Sequence, residues 1–500
     1  MNRRLKELKE ILGEVADLNG AQAVLGWDQQ TYMPPGGSES RGEQLSTLAR
    51  LTHDKFTSLR IGELLSGLTH TGSLQDPDSD DARLVRVAAR EYAKQTKVSS
   101  SWVAEFARMT ALAQDAWVTA RAESDFSKFQ PYLEKIVDLR RRYVEFFTPY
   151  EHVYDPLLDD YEPGLKTREV QAIFSRLREE QVNLIKAISS KSQVDDSFIM
   201  QDYNEGKQWD FGVDVITRFG YDWQRGRQDK AAHPFTTTFG YGDTRITTRF
   251  LARNGASALF STMHECGHAL YEQGVNAGLR RSLLFNGASM AIHESQSRMW
   301  ENLVGRSREF WTFFYPRLQS LHPEYLANVS LEQYYKGINK VEPTNIRVEA
   351  DEATYNLHIM LRLEIEIALM EGKLAVKDLP EVWNEKMRDY LGITPPNDAN
   401  GVLQDIHWSG GSFGYFPTYA LGNLVSAQIW EKILEDIPAL PTRIRSGDFA
   451  PLLTWLHEKI HRHGAKFDPQ EMVQRITGSK ITPEPYLRYL KKKYSEIYKL

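Results

Sequence analysis

Residues 254–274 are the part of this 500-residue chain whose structure is most tightly constrained by its sequence. Asn254 is a residue type that caps a helix N-terminus, and Gly274 is one that ends a helix. Between them, apolar residues recur every three or four positions, the spacing of one face of an α-helix. These residues are Ala256, Leu259, Phe260, Met263, Gly267 and Leu270. The pattern predicts a helix that packs one face against a core.

Two histidines lie four residues apart on this predicted helix, in the segment His264-Glu-Cys-Gly-His268. Positions i and i+4 lie on the same helix face, so both imidazoles can bind one Zn²⁺ while Glu265 reaches a metal-bound water. With 13 histidines in the chain, chance would produce this pattern only about a few times in a hundred such sequences. The alternative is an ordinary helix with one core histidine and one exposed histidine.

A third ligand is needed, because catalytic zinc usually has three protein ligands and one open position. A third histidine six residues after the second is ruled out, since position 274 is glycine. We predict that Glu294, in the following helical segment AIHESQSRMWENLVG, is this ligand. Glu301 is predicted to hydrogen-bond a ligand histidine. His293 is a weaker candidate ligand, because adjacent residues on a helix point in different directions.

Cys266, the single cysteine of the chain, lies between the two histidines. One cysteine excludes an internal disulfide framework and is typical of a reducing compartment. We interpret Cys266 as a small residue on the buried side of the helix rather than as a catalytic or redox group.

Helical periodicity dominates the rest of the sequence. Leu5, Leu8, Ile11, Leu12 and Val15 follow the helical spacing and predict that an amphipathic helix opens the chain. Further helical patterns cover residues 41–51, 81–95, 100–121, 129–147 and 167–190. Loops are predicted at TYMPPGGSES, at Thr69–Asp80, at YDPLLDDYEPG and over about residues 393–416.

Residues 233–250 differ from this helical background. The segment HPFTTTFGYGDTRITTRF is rich in Thr and Phe, alternates with a period of two, and predicts a β-hairpin. Its last part, Ile246–Phe250, directly precedes the metal helix. We expect this part to be an edge to which an extended peptide can add as a further strand.

Charge and hydropathy exclude several classes of partner. The net charge of −6 provides no cationic field for nucleic acid. The N-terminus is charged and lacks the apolar region of a signal peptide. No run of about 18 apolar residues predicts a membrane span. A cytoplasmic protein is therefore expected.

Several short motifs, in a fixed order, make the chain resemble the carboxypeptidase Taq family of metallocarboxypeptidases. The motifs are WDQQTYMPPGGSESR (Trp27–Arg41), His233-Pro-Phe, Asp243-Thr-Arg-Ile-Thr247, His264-Glu-Cys-Gly-His268, His293-Glu-Ser-Gln, Ile346-Arg-Val-Glu-Ala-Asp351 and Gly401-Val-Leu-Gln-Asp-Ile-His-Trp408. They extend nearly from end to end, which is more specific than any single motif.

The resemblance implies a mainly α fold, similar to neurolysin, with a deep active-site groove and one small β-sheet. It implies one metallocarboxypeptidase domain over residues 1–500. Its parts are a helical region over about 1–230, the hairpin and catalytic helices over about 231–430, and a helical region over about 431–500. It also implies a homodimer that removes C-terminal residues from peptides with broad specificity. Zinc is the expected metal, and cobalt is expected to support activity.

The expected reaction is hydrolysis of a peptide bond. Zinc lowers the pKa of its bound water from about 15.7 towards 7, and Glu265 takes the proton as general base and returns it to the leaving amine. A carboxypeptidase must also hold a terminal carboxylate, for which Arg is best suited. The resemblance favours Arg347 and, less strongly, Arg245 for this role; each alone would more often be a structural ion pair.

The glycine-rich segment His407–Tyr419 supplies candidate hydrogen-bond donors to the tetrahedral intermediate. Tyr419 and His407 are favoured by similarity to the His and Tyr donors of neurolysin-like enzymes, and Tyr415 is expected nearby on the substrate. The alternative is that these tyrosines only pack their rings and bond locally. His233 is a candidate pocket residue, although a histidine before proline is often structural.

Two other functions are compatible with parts of this pattern. An endo-acting metallo-oligopeptidase would retain the metal site, but the motif around Arg347 argues against it. A non-enzymatic helical peptide-binding scaffold would be expected to have lost Glu265 or Glu294, and both are present.

Overall fold

The computed structural model describes residues 2–69 and 76–500, and its architecture is mainly helical with one small sheet, as predicted. In chain order the helices are α1 (Arg3–Thr31), α2 (Ser38–Phe56), α3 (Leu59–Thr69), α4 (Asp80–Lys97), α5 (Ser100–Glu123), α6 (Gln130–Glu145), α7 (Asp155–Asp159), α8 (Thr167–Ser189), α9 (Glu205–Phe219), α10 (Ser257–Gly274), α11 (Met290–Arg298), α12 (Arg308–Leu321), α13 (Pro323–Leu326), α14 (Leu331–Gly337), α15 (Tyr355–Met370), α16 (Leu379–Leu391), α17 (Pro417–Asp436), α18 (Leu440–Arg445), α19 (Ala450–Lys459), α20 (Pro469–Thr477) and α21 (Glu484–Tyr498). Over residues 2–69 and 76–500, none of the helices combines the length and the apolar character that crossing a bilayer requires.

Two predicted loops contain helix. The segment TYMPPGGSES contains a short 3-10 turn at Pro35–Gly37, and its last three residues belong to α2, which begins at Ser38. The segment YDPLLDDYEPG contains the one-turn helix α7, in which Pro156 lies in the first turn, where its missing N–H has no helical partner to lose. Of the loop predicted at Thr69–Asp80, residues 70–75 lie outside the described residues. The loop over residues 393–416 contains no α-helix, only a 3-10 turn at Asp398–Asn400.

The predicted hairpin is confirmed, but it belongs to a three-stranded sheet. The strands are β1 (Gly226–Lys230), β2 (Thr236–Gly240) and β3 (Asp243–Thr248), in the order β1-β3-β2. β3 pairs antiparallel with β2 and parallel with β1. The sequence did not reveal β1, because GRQDK has no apolar residue and no alternation.

The central position of β3 contradicts the expected peptide-binding edge at Ile246–Phe250. β1 and β2 flank β3 and pair with its backbone from both sides, as in the register Gln228↔Ile246↔Thr236. A strand whose two edges are already paired cannot accept a third strand. The prediction of strand addition at this segment was therefore wrong.

The chain forms two compact units, each built from three separate segments. Unit 1 contains residues Met1–Thr96, Asp196–Ile338 and Ile429–Gly478, and unit 2 contains Lys97–Asp195, Asn339–Gln428 and Ser479–Leu500. The metal motif, α11 and the sheet belong to unit 1. The motifs around Arg347 and His407 belong to unit 2. The single domain expected over residues 1–500 stays a prediction.

The opening helix of unit 1 packs as its sequence pattern predicts. Leu5, Leu8, Leu12 and Val15 of α1 are buried, and Ile11 is partly buried against them. Apolar residues of α3 and α4 complete this core, which also includes Val275, Leu279 and Leu284 after α10. Burial of such side chains stabilises the unit by about 1.5–3 kcal/mol each.

In unit 2, α15 is buried almost all around. Helices α6, α8 and α16 pack against it. On a helix that is buried on every side, a polar side chain is costly unless it has a hydrogen-bond partner. Its Arg362 and Glu366 are both fully buried, and their partners are described with the site below.

Within unit 1, α10 packs as predicted, but its N-cap is Ala256, and the predicted cap Asn254 lies two residues earlier. The Asn254 side chain accepts hydrogen bonds from the backbone N–H groups of Ala256 (3.2 Å) and Ser257 (3.0 Å). The predicted apolar face of α10 is buried. A Cβ atom added at Gly267 would lie 2.6 Å from Ser297 Cα and 2.7 Å from the Gln296 carbonyl oxygen. Only glycine therefore allows α10 and α11 to approach this closely.

We predict that Gly267→Ala lowers the free energy of unfolding and weakens metal binding. The added methyl group meets backbone atoms of α11, so the helices must separate, and overpacking of this kind costs about 1–3 kcal/mol. Urea denaturation and zinc titration of the purified variant measure the two effects.

Gly26→Ala is the matched control. Gly26 lies inside α1, and a Cβ atom there meets nothing within 4 Å. This change should raise the free energy of unfolding by up to about 1 kcal/mol through helix propensity, and leave zinc affinity unchanged. A zinc affinity of Gly267→Ala equal to that of the wild type would contradict the proposed role of the close contact between α10 and α11.

Candidate metal centre and a second polar cluster

The three predicted ligands lie together in unit 1. His264 Nε2 is 3.6 Å and His268 Nε2 is 3.4 Å from Glu294 Oε2, and one ligand atom of each residue lies within 4.8 Å of the others. Around a tetrahedral zinc ion with bonds of about 2.0–2.1 Å, ligand atoms are separated by about 3.3 Å. The spacing and the N, N, O donor set therefore fit zinc.

Glu301 contacts His264 as predicted. His264 Nδ1 is 2.9 Å from Glu301 Oε2, which leaves Nε2 directed towards Glu294. α11 continues into a π-helical turn at Met299–Val304, which includes Glu301. Arg298 bridges the two carboxylates, donating from Nε to Glu294 Oε1 (2.6 Å) and from Nη1 to Glu301 Oε2 (3.2 Å). The wider turn and this bridge hold both carboxylates on the side of α11 that faces His264.

His268 has a different supporting chain. Its Nδ1 lies 2.5 Å from His293 Nδ1, and His293 Nε2 lies 2.6 Å from Glu272 Oε1. If His293 donates from Nε2 to the carboxylate, its Nδ1 accepts a proton from His268 Nδ1–H, and the lone pair of His268 Nε2 remains for a metal. His293 is thus a partner of a ligand rather than a ligand in the described cluster.

The carboxylate of Glu265 is buried beside the ligands and is held by the sheet. Thr236 Oγ1, at the start of β2, lies 2.7 Å from Glu265 Oε2 and 2.9 Å from the Glu265 carbonyl oxygen. Burial raises the pKa of Glu265, while neighbouring His264 and the Thr236 hydroxyl oppose that rise. Burial also raises the pKa of the Cys266 thiol, in keeping with its predicted packing role.

Buried charges of opposite sign surround the ligands. Burial alone would raise the pKa of each carboxyl, but Arg298 and the histidines hold the pKa of Glu294 well below its usual range and that of Glu301 at about 2. Burial, together with neighbouring His293, lowers the pKa of His268 to about 3. Glu294 is therefore ionised and His268 neutral at pH 7, which are the forms that bind a metal.

The other two predicted residues of unit 1 lie on or near the sheet. Arg245 of β3 donates from Nε and Nη2 to Asp243 (2.9 and 2.8 Å), and its guanidinium lies over the rings of Trp27 (4.4 Å) and Phe239 (4.7 Å). These contacts fix α1 to the sheet through cation–π attraction. His233 is exposed, three residues before β2.

In unit 2, Arg347 forms the centre of a buried ionic cluster. Its Nε and Nη2 donate to Asp405 Oδ1 (3.0 and 2.7 Å), and Nη1 donates to the Tyr355 hydroxyl (2.9 Å). Arg362, fully buried, donates from Nε and Nη2 to the other oxygen of Asp405 (2.8 and 2.5 Å). Two guanidinium groups share one carboxylate, so the cluster has an excess positive charge.

The predicted donors of the glycine-rich segment lie beside this cluster. His407 Nε2 is 3.2 Å from the Tyr419 hydroxyl, and the His407 ring lies 5.4 Å from that of Tyr415. His407 Nδ1 is 4.0 Å from Asp405 Oδ1, and the Arg347 guanidinium lies 4.9 Å from the Tyr419 ring. Four residues predicted from two separate segments therefore occupy one cluster.

A buried carboxyl group anchors the same segment. Glu366 of α15 accepts hydrogen bonds from the Tyr154 hydroxyl (2.5 Å), Trp408 Nε1 (2.8 Å) and the Gly414 N–H (2.9 Å). Burial raises the pKa of Glu366 to about 7 against these donors. Gly414 has φ of 95°, and a Cβ atom there would lie 2.2 Å from the Leu157 carbonyl oxygen, so only glycine fits.

Comparison with known proteins places this chain among characterised relatives. The family model of the carboxypeptidase Taq (M32) metallopeptidases matches residues 7–494. Thermostable carboxypeptidase 1 of Thermus thermophilus is 42% identical over 503 residues, covering 99% of this chain and 98% of that protein. Carboxypeptidase 1 of Bacillus subtilis is 40% identical over 496 residues, covering 99% of each.

The chain belongs to the carboxypeptidase Taq (M32) family. It is therefore a metallocarboxypeptidase, as the motifs predicted. The crystal structure of the M32 carboxypeptidase from Deinococcus radiodurans R1 is 40% identical and superimposes with a TM-score of 0.97, covering 100% of both chains. The fold assignment of this M32 chain thus stands on both sequence and structure.

Some residues of these two clusters of the M32 chain were not singled out from the sequence. Glu272 could have been inferred from the sequence, since it follows His268 by one helical turn on the same face. Asp405 lies inside a quoted motif, but nothing in the sequence pairs it with two arginines. No sequence pattern indicates the roles of Thr236 and Glu366, because their partners are distant in the chain.

We predict that His293→Leu weakens zinc binding by about 10- to 100-fold, because His268 loses the partner that orients its ring. Competition with a chromophoric chelator measures the affinity. His152→Leu is the control, since it removes a histidine–carboxylate pair (His152 Nε2 to Glu371 Oε1, 3.2 Å) within unit 2. Unchanged zinc affinity in His293→Leu would show that His268 needs no such support.

Glu366 should make the free energy of unfolding depend on pH. Its pKa is about 7 in the folded chain against 4.5 ordinarily, so its contribution is fully present below about pH 4.5 and is lost as pH rises through 7. The loss amounts to about 3 kcal/mol. Glu366→Gln cannot ionise. The free energy of unfolding in urea of the wild type minus that of the variant should therefore decrease as the pH rises from 4.5 to 8. A difference that stays constant over this range would contradict the raised pKa.

Proposed function

We propose that this metallocarboxypeptidase is a zinc enzyme that removes C-terminal residues from peptides with broad side-chain tolerance. The observation that supports this most is the His264, His268 and Glu294 donor set with the Glu265 carboxylate beside it. Three ligands leave one position open, which is the arrangement of catalytic zinc sites. Co²⁺ accepts the same nitrogen and oxygen ligands, so we propose that it substitutes.

When bound, zinc would lower the pKa of a water molecule and polarise the scissile carbonyl group. Glu265 accepts the proton of the attacking water and delivers it to the leaving nitrogen, as a general base and then a general acid. His264 and His268 would hold the metal through their Nε2 atoms, because Glu301 and His293 occupy their Nδ1 atoms. Arg298 keeps Glu294 ionised and in place.

For the terminal carboxylate of the substrate, we propose Arg347 rather than Arg245. Arg347 and Arg362 share one carboxylate, and the excess positive charge of this cluster suits an anion. The guanidinium of Arg245 is held by Asp243 and lies against two rings. His233, exposed before β2, remains a candidate substrate contact.

We propose that His407 and Tyr419 donate hydrogen bonds to the oxygens of the tetrahedral intermediate, with Tyr415 in contact with the substrate. The contact of His407 Nε2 with the Tyr419 hydroxyl at 3.2 Å, and the position of Tyr419 beside Arg347, support a shared role. We further propose that the protein is a homodimer, on the resemblance to the family. We propose a cytoplasmic location, because a single cysteine is typical of a reducing compartment.

The test is incubation with a peptide blocked at its N-terminus, followed by mass spectrometry. Stepwise loss of C-terminal residues is expected, with loss of activity after chelation and recovery with Zn²⁺ or Co²⁺. The same peptide with a C-terminal amide should be cleaved slowly, since it lacks the charge that Arg347 would hold. Internal cleavage would instead indicate an endo-acting oligopeptidase, and no cleavage by metal-loaded protein would indicate a peptide-binding scaffold.

Glu265→Gln should lower kcat by about 10²- to 10⁴-fold, because the amide cannot accept the proton. Its zinc content should equal that of wild type, since Glu265 is not among the clustered ligands. Glu309→Gln, which removes a surface carboxylate paired with Arg445, is the control and should retain wild-type kcat. A variant at position 265 with full activity would rule out the general-base role.

A further inference from the structure

The hydroxyl group of Thr236 is the one contact that the sheet makes with the proposed general base, among the hydrogen bonds of the described residues. Thr236 Oγ1 lies 2.7 Å from Glu265 Oε2 and 2.9 Å from the Glu265 carbonyl oxygen. A hydroxyl has a single proton, so it can donate to one of these oxygens at a time or share the proton between them. Either way the hydroxyl ties the Glu265 side chain to the turn of α10 that carries it.

The position of this hydroxyl is fixed by its strand. Thr236 pairs with Ile246 in the ladder between β2 and β3, and Phe235 beside it exchanges hydrogen bonds with Thr247. Threonine is β-branched, so its χ1 angle is restricted. The donor to Glu265 therefore belongs to a rigid element rather than to a mobile loop, as positioning groups in active sites usually do.

The contact also gives the two carboxylate oxygens of Glu265 different surroundings. Thr236 occupies Oε2, while among the described residues no hydrogen bond to Oε1 is present. A general base must place one oxygen within hydrogen-bond distance of the proton it takes. With Oε2 fixed by the threonine, Oε1 is the oxygen available to the attacking water.

We infer that Thr236 is a positioning residue for the general base: its hydroxyl fixes the Glu265 carboxylate so that Oε1 faces the attacking water. This inference rests on the proposed function. It also assigns a role to the hairpin directly before the metal helix. In this role β2 orients the carboxylate of the general base. The role replaces the peptide-binding edge that was expected at Ile246–Phe250.

Thr236→Val and Thr236→Ser test this role. Valine keeps the shape and loses the hydroxyl, so kcat should fall by about 10- to 100-fold, a part of what a general base contributes, with KM and zinc content little changed. Serine keeps the hydroxyl and should restore most of kcat. Thr238→Val is the control. It removes a hydroxyl from the same strand, one that contacts Thr244 rather than Glu265, and should retain wild-type kcat.

A double-mutant cycle separates action through Glu265 from a general effect on folding. If Thr236 acts through the base, Thr236→Val should cause little further loss of kcat in a Glu265→Gln background. Independent, multiplying losses would overturn the inference. So would a loss of zinc from Thr236→Val, equal losses in the Val and Ser variants, or an unchanged kcat in Thr236→Val.

Two further readouts keep the test decisive. If Thr236→Val does not fold, as judged by circular dichroism, the Ser variant is compared with Thr236→Ala at equal folded and zinc-loaded fractions, and equal kcat values would overturn the inference. Wild-type activity on the N-blocked peptide is measured in the same experiment. An inactive wild type would refute the proposed function, whereas an active wild type with an insensitive position 236 would refute this inference alone.

Discussion

The close contact of α10 with α11 at Gly267 is the constraint on which the metal centre depends. Two histidines on one helix face provide only two ligands, and the third must come from another helix that approaches to within backbone distance. A side chain at position 267 would collide with Ser297 Cα and the Gln296 carbonyl oxygen. With glycine there, Glu294 comes within 3.6 Å of both imidazoles. The metal site is therefore a property of helix packing as much as of ligand type.

Around the ligands, each imidazole is oriented by a carboxylate, directly or through a second histidine. Glu301 serves His264, and Glu272 serves His268 through His293. Burial strengthens these contacts, since hydrogen bonds to ionised groups in a low-dielectric interior are worth more than those in water. It also makes an unpaired member costly, so the network is stable only when complete. The same reasoning applies to Arg347, Asp405 and Arg362 in unit 2.

Much of the fold and of the two clusters was predictable, because it follows from local spacing. The helical period gave α1 and α10, the alternation of residues 233–250 gave β2 and β3, and the motif spacing gave His264, His268 and Glu294. The strand β1 was missed because a glycine and four polar residues form it solely by pairing with β3. The expected edge at Ile246–Phe250 failed for the same reason, since the missing strand covers it.

The sequence by itself determined the residue types, their helical faces and the family, because these depend on neighbours a few positions apart. Only the tertiary structure decided which distant groups meet: Thr236 with Glu265, Glu366 with Gly414, and Asp405 with two arginines. It also decided that His293 supports a ligand instead of joining the ligands. Contacts of this kind depend on the packing of whole elements, and a linear pattern carries no information about the angle and distance at which two elements pack.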